Sequence, residues 1–542
     1  MRFILICIGI ICLAPASVWG QKDTSTLDDR SFEIVGGQFD PKLQKAEKIT
    51  TVPTSEPIDT KAPVFNYDIS KHQASTKRVA TPLSPLKYRS KEKEDWRGNY
   101  FKLGYGNFNT PLAEAYLFNL KDDQLIYGAE IKHLSANKAK SFQDFSQNTV
   151  KLYGARILKN NQFTINLAYD RNSIRRYGFD STDFGFDKER VLRNFEDWNG
   201  SFRFNRLRGK KKAPKIGFLL DYHSFATSDR SNETSFEGVI DFRMRAFEGE
   251  ILADLGVMHS KLSTLNHFQE RVFLNFFPRY TFKHPTEDLD ITAGLKVNYV
   301  PAGVDSTLLI FPHIQGRYHL IKDYVVIFGG FTGGMDRNLL RTQVYTNPFI
   351  NDTFVQQSTI NNYVANLGFE GKLTKNLEFL GEISISNVEN LALNITSSDS
   401  FNSFNTVYAD GDIISFRTQL GYTFSTKVRA YLLARVNDYA LTQKAWQLPT
   451  SEVRMRVQYN IAKKIYTTAE AIYWGARDQT EVGQPSGTMD GFFDFNLHFD
   501  YRHRKHLSFF ADFNNITSSK IQRWYNHPVY ALNILAGVNF SF

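Results

Sequence analysis

The residues able to do chemistry in this 542-residue chain recur at every second position of alternating stretches. Arg454 and Arg456 flank Met455 in Val453–Ile461, where odd positions are apolar and even ones polar. Asp494 and His498 stand in the same way within Phe493–Tyr501, and Arg243 and Arg245 within Ile240–Ala246. Successive strand side chains point to opposite faces, so each stretch has one oily face and one wet face. On the wet face, acid and base can pair across an interior, which is the plainer expectation. The same face can also select a solute. Arg429, Arg435, Arg454 and Arg456 fall on neighbouring strands and would form a basic ladder. A guanidinium is always charged and grips carboxylate or phosphate with two bonds, so such a ladder favours anionic solutes.

Catalysis has little support. The 12 histidines are scattered, and there is no His-Glu-x-x-His, no Gly-x-Ser-x-Gly and no glycine-rich phosphate loop followed by Lys. His498 near Asp494 and Asp500 is the one compact group, and it reads as an ordinary lumen histidine. Both cysteines, Cys7 and Cys12, fall in the N-terminal apolar segment, so the chain beyond residue 20 has no thiol for a disulfide, a zinc site or a nucleophile. No enzymatic activity, cofactor or metal is expected. The net charge of +9 is dispersed, without a basic tract interleaved with aromatics, which argues against a nucleic-acid partner.

Three regions position these residues. Residues 1–20 have the form of a secretory signal peptide: Arg2, then apolar Phe3–Leu13, then Val18-Trp19-Gly20 before Gln21. Residues 21–95 hold Pro41, Pro53, Pro57, Pro63, Pro82 and Pro85, and proline denies both ladder donors and helix interiors. This region reads as an extended periplasmic arm, either a plain linker or a docking segment for a periplasmic or outer-membrane protein partner. Residues 96–542 alternate to the end of the chain. No run there approaches the ~20 apolar residues of a spanning helix. The composition, 42% hydrophobic and 14% aromatic, suits a barrel in which alternate residues face lipid.

The connections set the strand number. Tight polar turns are expected at Lys121–Gln124, Lys159–Asn161, Arg208–Pro214, Phe247–Glu250, Lys283–Asp288, Leu320–Asp323, Thr374–Asn376, Ser425–Lys427, Ala462–Lys464 and Arg502–Lys505. Between them lie mostly longer connections, the largest at 173–195, 335–359, 391–411 and 515–529. Short turns alternating with long loops predict an all-β, transmembrane antiparallel barrel of about 22 strands, within a range of about 18–24. The last stretch alternates through Ile534, Ala536, Val538 and Phe540 and stops on Phe542. It is expected to close the barrel against a first strand near Tyr100–Gly106, and it resembles the signal read by the barrel-assembly machinery.

Phe513-Asn514-Asn515-Ile516, Trp524-Tyr525 and Leu535–Phe542 together resemble the last hairpin of TonB-dependent receptor barrels, and so does the loop carrying Asn347-Pro348-Phe349. The resemblance implies a 22-stranded barrel in the outer membrane of a Gram-negative envelope. Those receptors also carry a folded plug before the barrel. Here the proline-rich residues 21–95 lack the plug's glycine-rich pattern. The expectation is therefore passage or binding of a solute, porin-like or receptor-like, with no recognisable plug. The alternative is a structural or accessory subunit with a blocked lumen. A barrel this wide encloses water unless something fills it, so loops, arm or partner must occlude it.

Overall fold

The computed structural model describes residues 98–542, apart from 120–121, 123, 138–141, 180–190, 208–212, 285–287, 302–306, 323, 352–354 and 399–402. The signal peptide and the arm expected at 1–20 and 21–95 lie outside the described residues.

Alternation becomes one antiparallel sheet of 22 strands. Each barrel strand pairs with the next along the chain. The first, Tyr100–Gly106, pairs with the last, Asn533–Ser541, in a register running from Tyr100 opposite Ser541 to Gly106 opposite Leu535. The ring is thus closed, and closure leaves no unpaired edge, which a lipid environment would not tolerate. In the first strand Phe101, Leu103 and Tyr105 point outward and are exposed, whereas Lys102 points inward and is 6% exposed. Val436, Met455, Tyr473, Phe493, Phe509 and Phe540 carry the exposed apolar face onto other strands. A continuous outward band of this kind is a lipid-contact surface. Among the described residues no helix is long and apolar enough to cross a membrane.

The ten segments expected as turns all lie between strand ends at one end of the barrel, the end where Tyr100 enters and Ser541 leaves. Leu158 pairs with Asn161, Ala246 with Gly249 and Ile461 with Ile465 across three of them. The opposite end carries the long connections, the largest being residues 176–191, 337–358, 475–491 and 515–532. One expected loop is mostly strand. The region 391–411 belongs to the two longest strands, Leu377–Thr396 and Phe404–Ser425, and only 397–403 connects them. A register shift between Val388 and Leu391, with Asn390 at φ 54° and Gly411 at φ 148°, breaks the alternation there and hides the strands from a period-two reading.

Candidate gate at the barrel mouth

Four strands, the sixth, seventh, ninth and tenth, carry large apolar residues on their inward faces near the loop end. Phe195, Phe225, Leu262 and Phe273 would stand in water if the lumen were open there, yet they are almost wholly buried. The segment 337–358 covers them. It turns into the barrel and forms a helix, Leu340–Thr346, whose Leu340 and Val344 pack on Phe195, Phe225 and Leu262 with Phe349, Ile350 and Phe404. Leu339 packs in the same way on Met258 and Phe273. Burying each such side chain contributes roughly 1.5–3 kcal/mol, so this strap has a core of its own.

Polar contacts fix where the strap sits. The helix has no side-chain cap from its own neighbours. Glu233, buried on the inner wall, takes that role: its carboxylate accepts the Leu340 and Arg341 N–H groups, each at 3.0 Å, and the Gln356 amide at 2.7 Å. An anion at a helix N-terminus is favoured by the exposed peptide dipoles. Arg193, 0% exposed, donates to the carbonyls of Pro348 at 2.8 Å and Ile350 at 2.6 Å, and its Nε lies 2.9 Å from Asp229. Arg271 donates to the Arg337 carbonyl at 2.9 Å and to Gln356 Oε1 at 2.6 Å, and Arg337 reaches Glu237 at 2.9 Å. Tyr345 donates to Asp197 at 3.0 Å. Wall strands thus hold both ends of the strap and its middle.

A ring cluster continues the cover across the mouth. Phe349 lies 4.1 Å from His527 and 5.4 Å edge-on from Tyr177, centroid to centroid. Phe404 lies 5.4 Å from His527 and 5.9 Å from Trp524. These residues are rooted after the fifth strand, after the thirteenth, at the sixteenth and before the last. Strands so far apart around the ring can share rings only over the lumen, so the connections bridge it. Arg477 ties two connections together by donating to the carbonyls of Gln522 and Arg523, both at 2.5 Å. Tyr530 donates to the Gln143 carbonyl at 2.6 Å, tying in a third. Burial raises the Tyr177 hydroxyl above the ordinary phenol range. Burial, helped by the neighbouring Arg523 charge, lowers the Arg477 guanidinium to about 10.

The residues singled out from the sequence lie elsewhere on the wall. Arg454 bonds Glu452 at 3.0 Å and Arg456 bonds Glu470 at 2.8 Å, so these two rungs of the expected ladder are charge-compensated. Arg435 stands in register with Arg417 on one side and Glu452 on the other, and Arg429 with Thr423 and Gln458. Arg243 and Arg245 sit near the short-turn end, 4.0 and 3.4 Å from Glu250. Asp494 accepts from Asn496 at 3.0 Å. His498 pairs across strands with Asp512 rather than with Asp494 or Asp500. Phe540 faces outward and stacks on Phe542, which stacks on Phe101 across the seam. Of the segments singled out from the sequence, Asn347-Pro348-Phe349 and Trp524-Tyr525 are part of the gate. Glu233, Arg193 and Arg271 were not anticipated, since an inward charge that grips a loop has the same sequence pattern as one that faces water.

No family model and no curated protein matches the sequence. Solved structures do share the fold. The FrpB iron transporter from Neisseria meningitidis (F5-1 variant) superposes with a TM-score of 0.65 at 9% identity over 82% of each chain. The ferric-catecholate import receptor Fiu from E. coli K12, in a closed form, gives 0.62 at 10% identity over 82% of each chain. The copper transporter OprC gives 0.62 at 11% identity over 83% of this chain and 81% of that one.

Proposed function

Starting from a chain that is a 22-stranded barrel with the fold of TonB-dependent receptors, we propose that it admits a solute across the outer membrane through a mouth gated by its own connections. The bridged end faces outward and the short-turn end faces the periplasm. The observation that carries this reading is the strap 337–358, held inside the barrel by buried, directional polar contacts to the wall. A merely structural barrel could be blocked by apolar packing alone. A strap pinned through a few hydrogen bonds can be released by a solute that competes for them.

The measurement is single-channel recording of the purified full chain in planar bilayers. The wild type should show rare, brief openings. Glu233→Gln removes the anion from the helix start while leaving one oxygen to accept, and should raise open probability about tenfold, as expected for losing about 1.4 kcal/mol of charge-assisted bonding. Silence in both proteins, with another envelope protein co-purifying, would favour the structural-subunit reading and reject gated passage.

In the same reading the inner wall tunes selectivity. Arg456 is compensated by Glu470, and Arg454 by Glu452. Selectivity of the opened barrel should therefore be weak. Glu470→Gln frees the Arg456 charge and should shift the reversal potential toward anions, whereas Arg456→Gln should shift it the other way. Identical reversal potentials in the two variants would remove the ladder from the conduction path.

A further inference from the structure

Three connections, 442–450, 475–491 and 515–532, meet over the top of the strands ending at Trp474 and starting at Phe492. We propose that this junction binds a small oxyanion, the carboxylate or phosphate group of a solute, through Arg477, Arg523, Trp474 and Gln447. Four buried donors there have no acceptor among the described residues: Arg477 Nε, Arg523 Nε, Trp474 Nε1 and Gln447 Nε2. Arg477 is 1% exposed and Gln447 3% exposed. Both guanidiniums lie against the Trp474 indole, at 5.5 and 5.8 Å from the ring, and Arg477 also lies 5.5 Å from the Phe492 ring.

Buried polar groups are as a rule bonded, and two neighbouring buried cations repel, so the arrangement is complete only with an acceptor that carries negative charge. Each guanidinium is held below its ordinary range, chiefly by burial. Glu452 offsets part of the Arg523 charge but bonds Arg454 at 3.0 Å, and Asp494 accepts from Asn496 at 3.0 Å, so neither acid bonds the four open donors. Trp474 lies on the inward face of its strand, since Tyr473 beside it is exposed outward, so the junction adjoins the lumen under the bridging connections. Oxyanions suit it better than halide, because a group with more than one oxygen can accept from guanidinium and indole N–H donors at once.

Calorimetric titration of the detergent-solubilised full chain with sodium phosphate, and separately with sodium citrate, tests the site, with sodium chloride at matched ionic strength as the reference. A saturable isotherm with either probe, accompanied by a change in tryptophan fluorescence that Trp474→Phe abolishes, is the expected result. The probe that binds shows whether phosphate or carboxylate is preferred. Arg523→Gln, checked for folding by its heat-modifiable migration, should weaken binding at least about tenfold. Arg477→Lys, which keeps charge but loses the fork, should weaken it too. Heats no larger than those of chloride, or an isotherm that Arg523→Gln leaves unchanged, would overturn the site. That the anion belongs to a transported solute rests on the uptake reading. The calorimetry does not, so a missing isotherm removes the site, whereas silent bilayers remove the uptake.

Discussion

Arg193→Ala should turn a mostly closed barrel into one that conducts for much of the time. Arg193 is the most completely buried cation of the gate, and its guanidinium serves the Pro348 and Ile350 carbonyls together with Asp229. Truncation leaves two buried carbonyls without that donor, while Asp229 keeps Arg176 at 2.5 Å. The cost to the closed state is about 3 kcal/mol, the low end for breaking a buried charge-assisted cluster. At 1.4 kcal/mol per factor of ten, the open population rises roughly a hundredfold. The barrel itself should remain folded, because every barrel strand is paired on both sides by other strands, and the strap adds only one bridge, Ile350 to Phe404, at the start of the sixteenth. Two readings report the change: longer open times in planar bilayers, and chymotryptic cleavage at Phe349, which is buried in the closed gate. Arg193→Lys, with one compact ammonium in place of a fork, should fall between the two. A variant that keeps Phe349 protected and conducts no more than wild type would mean that Arg193 does not hold the strap closed.

Much of the wall was readable from the chain and almost none of the gate. Val453–Ile461 shows why the wall was legible: the strand period is two, lipid demands an apolar residue at each outward position, and the pattern survives without reference to any other part of the chain. The tight turns were legible for the same local reason. The strap was not. Its helix lacks a local cap, and the residue that supplies one, Glu233, lies in another strand more than a hundred positions away. Leu340 and Val344 become core only because Phe195, Phe225 and Leu262 stand opposite. The hairpin Leu377–Thr396 with Phe404–Ser425 was misread for a different reason: a bulge resets the parity, so apolar residues on either side of it no longer fall on one alternating track.

Gly537→Ile should abolish the folded barrel. Gly537 sits on the closing seam opposite Gly104. A Cβ at Gly537 would lie 2.0 Å from the Leu103 carbonyl oxygen and 2.6 Å from the Gly104 Cα, both backbone atoms that can move only if the first and last strands part. The seam is the one ladder that no neighbouring sequence holds in register, and losing it exposes two strand edges to lipid, at several kcal/mol for each unpaired group. Gly154→Ala is the control, since a Cβ there meets nothing within 4 Å. On cold gel electrophoresis the control should keep its compact, heat-modifiable band, whereas Gly537→Ile should run only as the unfolded chain. A compact band for Gly537→Ile would show that the seam can slide or widen to admit a side chain.

The placing of Trp524 and His527 has a consequence for biogenesis. Both lie in the connection of the final hairpin, between Leu507–Asn514 and Asn533–Ser541, and the rings they meet, Phe349 and Phe404, come from much earlier in the chain. Contacts this distant along the chain form late. A nascent chain lacking its last hairpin therefore has neither a sealed wall nor a finished cover. When that hairpin docks, both are completed in one step. The cell is thus spared an interval in which a fully closed cylinder stands uncovered in its envelope, and a stalled intermediate can be told from the finished protein by one probe, the accessibility of His527.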